Sequence, residues 1–213
     1  MGEKFNWIAL KLAVFISFIF ILQSVFPENF GIFVLDSSKA FLRPWTLVTY
    51  IFLHGSFSHL YANMFALAIF GSILEKAVGY KNFLKVFFLT GIFSGVFSSF
   101  FYSSLIGASG AVFGVMGTLA MLRPKMVVWA VDVPMPMIIS IIIYAVLDFA
   151  GLFYPSDIVH IGHLSALALG IFIGVIWKKK FGLVEAKKET TSVLSEDELK
   201  KWEDDYMRKH KLL

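Results

Sequence analysis

The stretch GASGAVFGVMGTLAML, residues 107–122, carries no charged side chain and places glycine at 107, 110, 114 and 117. In the interior of a water-exposed helix each glycine costs roughly 1 kcal/mol relative to alanine. Here the steps of three, four and three residues put all four on one helical face. In a bilayer such a stripe is favourable, because small residues let a second backbone approach closely. The segment reads as a short membrane-embedded helix built for contact, with the hydroxyl of Ser109 at its entrance. Arg123, Pro124 and Lys125 close it.

The surrounding chain fits that environment. Of its 213 residues 58% are hydrophobic and 16% charged, against about 25% charged in ordinary soluble domains. A spanning helix needs about 20 apolar residues, and six segments approach this: Trp7–Phe26, Leu53–Val78, Phe83–Tyr102, Ala108–Leu122, Met135–Phe153 and Ile158–Trp177. The expected fold is an all-α polytopic membrane protein, a six-helix bundle over residues 1–180 whose fourth helix is short. A polar tail follows over 181–213, with a short helix opened by the capping box Ser195 to Glu198. The 27–45 loop is rich in Phe and Leu and reads as dipping into the interface. With no cysteine, disulfides and Cys metal sites are excluded. The net charge of +4 sits largely in Lys and Arg at segment ends, which suits a membrane surface better than nucleic acid. No signal peptide is evident, since the first apolar run is too long for one.

Basic residues set the orientation. Lys4, Lys76, Lys81, Lys85, Arg123, Lys125 and Lys178–Lys180 fall on one side, and only Lys39 and Arg43 on the other. Both termini are expected in the cytoplasm. Segments two, four and six then start from the outer side, which puts His54, His59, Ser109, His160 and His163 in one layer on the order of 5–10 Å below that surface, at about 1.5 Å per residue. Ionisable groups at such depth are functional candidates. His59 and Asn63, at i and i+4, point the same way. Gly162, Ala166, Gly170 and Gly174 form a second small-residue stripe, and pressing it against the first brings Ser109 to His163. A serine beside a histidine is the arrangement of nucleophilic catalysis. Backbone N–H groups at the helix start, with His59 and Asn63, can supply an oxyanion site. No carboxylate reads as placed to orient the histidine, so a dyad is expected.

These residues resemble the rhomboid family of intramembrane serine proteases. The GxSG nucleophile motif stands as Gly107-Ala108-Ser109-Gly110. The H-x4-H-x3-N run stands as His54, His59 and Asn63, and FGSILEKAVG continues it through Gly71, Leu74, Glu75 and Gly79. The histidine motif fits His163, with Gly162 before it and Ala166 and Gly170 after it; at His160 the following positions, His163 and Leu167, are too large. The resemblance implies Ser109 as nucleophile, His163 as its base, and the Ser109 and Ala108 amides with His59 and Asn63 as oxyanion donors. It also implies Phe113 stacked on the catalytic histidine, in place of the family's common tyrosine, and Gly107, Gly110 and His54 in supporting roles. Pro44-Trp45-Thr46 lacks the arginine that follows this tryptophan in many members. Substrates would be single-pass membrane proteins cut near the outer face of the plasma membrane, with neither cofactor nor metal required. The fifth helix and the YPSD stretch (154–157) are the family's candidates for a lateral gate.

Plainer readings stand beside these. His54 reads as fixing the neighbouring loop, His160 as a helix–helix contact, Asp148 as paired with a hydroxyl or water, and Glu75 as an architectural hydrogen bond. Rival functions are a catalytically silent relative that binds membrane helices, a metal-dependent membrane protein liganded by His54, His59, His160 and His163, and a transporter. The metal reading lacks an HExxH motif. A transporter would show inverted repeats and midplane sites.

Overall fold

In a computed structural model the structure describes residues 5–130, 133–154, 158–182 and 196–209. The described chain is mostly helical: α1 Ile8–Val25, α2 Phe57–Val78, α3 Tyr80–Ser98, α4 Ser109–Leu122, α5 Met137–Gly151, α6 His160–Phe181 and α7 Glu196–Lys209. Among the described residues α1, α2 and α6 are long and apolar enough to cross a membrane. At about 1.5 Å per residue, α4 and α5 reach roughly 21–23 Å, short of a 30 Å hydrocarbon core. The short helix expected in the polar tail is α7, and Ser195 of its capping box lies outside the described residues, as do 155–157 of the YPSD stretch.

Two small antiparallel pairings are additions to the helical reading. Leu35–Asp36 pairs with Ser104–Leu105, and Val127–Ala130 with Val133–Pro136. The first ties the 27–45 loop to the segment that enters α4. Its Leu35 and Leu105 are buried, and Ser37 adds a backbone bond to Ser103 of 3.0 Å. Trp45 Nε1 donates to the Ile32 carbonyl at 3.1 Å and Thr49 Oγ1 to that of Phe33 at 2.8 Å, so the loop is anchored without an arginine after Trp45.

The centre of the molecule is a triple contact of α3, α4 and α6. Gly170 of α6 lies so close to the Gly114 carbonyl of α4 that a side-chain methyl at 170 would overlap it. One turn on, a methyl at Gly117 would stand 2.6 Å from the Leu167 carbonyl oxygen, and one at Gly174 2.7 Å from that of Thr118. Thr118 Oγ1 bridges the two helices, 3.0 Å from Gly114 O and 2.9 Å from Gly170 O. Where lipid tails are as apolar as the side chains, this close packing and bonding replaces the hydrophobic effect as the force joining helices. The single-stripe expectation needs correcting. Gly110 and Gly114 also face Ser94 and Thr90 of α3, and Gly162 faces Ser94 and Ser98. The reason is that a helix with glycines on it can be approached closely from two sides, and Ser94 uses one of them to donate to Gly162 O at 3.0 Å.

At the opposite end of the bundle Glu75 takes the expected architectural role. Its Oε2 accepts from Ala9 N at 2.9 Å and its Oε1 from Asn6 N at 3.2 Å, capping the otherwise unpaired start of α1. The buried Ala9, Ala13 and Ile16 form the inward stripe of α1, and its Val14, Phe18 and Ile21 are exposed, as expected of a helix against lipid. Within α2 a π-turn over Leu67–Gly71 shifts register between His59 and Glu75. Gly170→Ala is predicted to lower the unfolding midpoint of the detergent-solubilised protein, by about 1–3 kcal/mol of overpacking. Gly31→Ala, at a glycine with open space around it, should leave the midpoint unchanged.

Candidate active site

Entry into α4 depends on one glycine. Gly107 adopts φ +121°, a conformation side chains disfavour, and a methyl there would also stand 2.7 Å from Cε1 of the His59 ring. Its N–H donates to the Tyr50 carbonyl at 2.9 Å, which orients the turn. Ala108 is the N-cap and no side chain caps the helix. The first-turn amides beginning at Ser109 therefore remain available at the positive end of the helix dipole.

Ser109 Oγ lies 2.7 Å from His163 Nε2. The same imidazole turns Nδ1 toward Asp148 Oδ1 at 3.0 Å, and His160 Nδ1 approaches that same oxygen at 2.6 Å. A carboxylate only accepts, so each Nδ1 carries its ring's proton. His163 Nε2 is then a bare lone pair, and it accepts from the Ser109 hydroxyl. Phe113 stacks on the His163 ring at 4.3 Å and 8°, and Tyr144 packs edge-on against Phe113. Imidazole orientation is thus fixed at both nitrogens and on one face.

Asp148 corrects the sequence-based expectation. It pairs with two imidazoles rather than a hydroxyl or water, and a carboxylate does stand behind His163. The physical reason lies in α5. Asp148 and Gly151 share a face at i and i+3, and Gly151 abuts the His160 ring so tightly that a methyl would overlap it. That approach delivers Asp148, 5% exposed, to the two histidines.

The remaining residues gather nearby. The rings of His54 and His59 meet edge to face at 5.0 Å. Gln23 holds the His54 backbone from both sides, donating to its carbonyl at 2.9 Å and accepting from its N–H at 3.1 Å. The imidazole of His54 is fully buried, with both nitrogens unpartnered. Asn63 spends one amide N–H on the His59 carbonyl at 2.9 Å, and its amide has a second. A cavity of about 20 Å³ lies beside Ser109 and His163, lined also by Tyr50, Ser94, Ser98 and Gly107; that is room for about one water. The metal-ligand set weighed from sequence does not form one cluster. Among the described residues the group spaced for an ion is Asp148, His160 and His163, with ligand atoms within 4.8 Å of one another. Tyr50 and Gln23 were not singled out as site residues from sequence. Gln23 had one visible signal, being the sole glutamine of the chain.

Residues 42–180 match the family model described as Rhomboid domain. The chain is 29% identical over 150 residues to RHOMBOID-like protein 5 of Arabidopsis thaliana, covering 67% of this chain and 48% of that protein. It is 33% identical over 133 residues to Rhomboid protease GluP of Bacillus subtilis (strain 168), covering 60% of this chain and 25% of that one. To the putative rhomboid protease YdcA of the same organism it is 30% identical over 143 residues, covering 64% and 68%. The matched region thus spans between a quarter and a half of the first two relatives.

The two imidazole tautomers can be read directly. Nitrogen-15 NMR of histidine-labelled protein is predicted to find His160 and His163 both protonated on Nδ1. An Nε2-protonated His163 would contradict the geometry.

Proposed function

The chain belongs to the rhomboid family, and from that premise we propose that it is an intramembrane serine protease in which Ser109 is the nucleophile and His163 its general base. The observation that carries this reading is the 2.7 Å contact of Ser109 Oγ with His163 Nε2, with Asp148 behind Nδ1. His163 takes the Ser109 proton as Oγ bonds to the scissile carbonyl carbon, and Asp148 stabilises the imidazolium that forms. The carbonyl oxygen becomes an anion facing the unpaired first-turn amides of α4, with His59 and Asn63 as further donors. As the tetrahedral centre collapses the C–N bond breaks, and His163 passes its proton to the leaving amine. Water then attacks the acyl-enzyme through the same base, releasing the acid and restoring the Ser109 hydroxyl.

The substrate class is the single-pass membrane protein, whose strand must unwind to reach Ser109. The chain is read as a six-helix membrane domain with both termini in the cytoplasm and the site opening toward the outer face of the plasma membrane. Asp148 acts as a positioning residue, so the reading extends the expected dyad by a third group. His54 and Gln23 support the loop before α2.

Cleavage of a helix-destabilised single-pass substrate in liposomes tests the proposal. Wild type should cut it. Ser109→Ala should lose at least about 10³-fold in rate with an unchanged unfolding midpoint, and His163→Ala should lose a similar factor in rate. Asp148→Ala should lose about 10²-fold in kcat with KM little moved. Undiminished cleavage by Ser109→Ala would end the proposal.

A further inference from the structure

One oxygen of Asp148 faces the Nδ1 atoms of two histidines, at 2.6 Å and 3.0 Å, in a place where all three residues are at most 9% exposed. Catalytic orientation of His163 needs one such bond. The second imidazole, His160, gives the carboxylate a partner that the proposed reaction does not use. Two imidazole nitrogens and a carboxylate oxygen are the donor set that binds Zn2+ and its neighbours among the divalent transition metals. We propose that Asp148, His160 and His163 form a binding site for a Zn2+-class divalent ion, and that occupancy switches the protease off. The inhibitory role rests on the reading of Ser109 and His163 as the reacting pair; the binding site does not.

The geometry needs little movement. Zn–N and Zn–O bonds are about 2.0–2.2 Å, so two ligands on a tetrahedral ion stand about 3.4 Å apart. The two Asp148 separations would open by roughly 0.4–0.8 Å, and the third, between the imidazoles and within 4.8 Å, would settle toward the same spacing, by rotation of side chains whose backbones stay where the Gly151 contact holds them. The Phe113 stack keeps the His163 ring in plane. An ion bound there has three protein ligands and one position for water.

Inhibition follows from proton placement. A metal on His163 Nδ1 occupies the lone pair that appears when the N–H proton leaves. That proton moves to Nε2, so the neutral ring still carries one. Nε2 then donates to Ser109 Oγ and can no longer accept from it. The serine hydroxyl loses its base without any block of the substrate path, so inhibition should lower kcat and spare KM. His160 shifts its proton to Nε2 in the same way.

The test uses full-length, tag-free protein in detergent and reads binding apart from activity. Co2+ is titrated into Ser109→Ala, and the visible absorption of the four-coordinate ion is recorded. One ion per chain should bind, displaceable by Zn2+. Affinity should fall at least tenfold in Ser109→Ala paired with His160→Gln, and likewise with Asp148→Asn, two substitutions that guard against one misfolding. Pairing with His54→Phe should leave it unchanged, which separates this site from the His54 and His59 rings. In wild type, Zn2+ should inhibit cleavage, a chelator should restore it, and His160→Gln should raise the half-inhibitory concentration at least tenfold. Absence of a stoichiometric ion, or equal affinity in His160→Gln and Asp148→Asn, would overturn the site. Binding with the expected pattern in a wild-type chain that cleaves nothing even in chelator would sustain the site, overturn its inhibitory role and count against the protease reading.

Discussion

The approach of α6 to α4 at Gly170 and Gly114 is the constraint on which the rest of the molecule depends. Backbone lies against backbone there, leaving no room for a side-chain methyl. With that contact made, Ser109 at the head of α4 and His163 near the head of α6 are held at hydrogen-bond distance by two rigid elements. Neither side chain needs a loop to carry it. Thr118 and Ser94 then lock the helices in register through their hydroxyls. In hydrocarbon, where apolar association gains nothing, such bonds and close packing supply the cohesion.

The polar cluster at the head of the bundle lives on that frame. A carboxylate buried among apolar helices is costly unless fully paired, and Asp148 is paired twice. Deleting it would leave two imidazole N–H groups without an acceptor, at about 1–3 kcal/mol each. The same bonds choose the tautomer of His163, so what stabilises the cluster also prepares its chemistry. Glu75 does comparable work at the far end, joining α1 to α2 through backbone amides.

Much of this could be read in the residues themselves. Ser109, His163 and the glycine stripes are local patterns on single helices, and charge bias is enough to put their heads at one level. Phe113, one turn past Ser109, was expected on His163 from the family resemblance, and its ring does stack there. Asp148 was not legible in its role. It reaches His160 and His163 from a separate helix, and only the rotation of α5 at Gly151, which no local pattern specifies, decides what it meets. The two short pairings were missed for a similar reason: strands of two to four residues carry too little periodicity to be seen. Several helix ends moved by two to four residues, and a side-chain cap decided one of them. At α2, Ser56 Oγ accepts from His59 N and starts the helix after Gly55 rather than at Leu53.

Central to the account is that the helix contact makes one serine among many a nucleophile. The most direct measurement is fluorophosphonate labelling of the folded protein, with the adduct mapped by peptide mass. The account predicts a single phosphonyl group on Ser109 in wild type and none in His163→Ala. An adduct on another serine, or a Ser109 that labels equally well without His163, would contradict it.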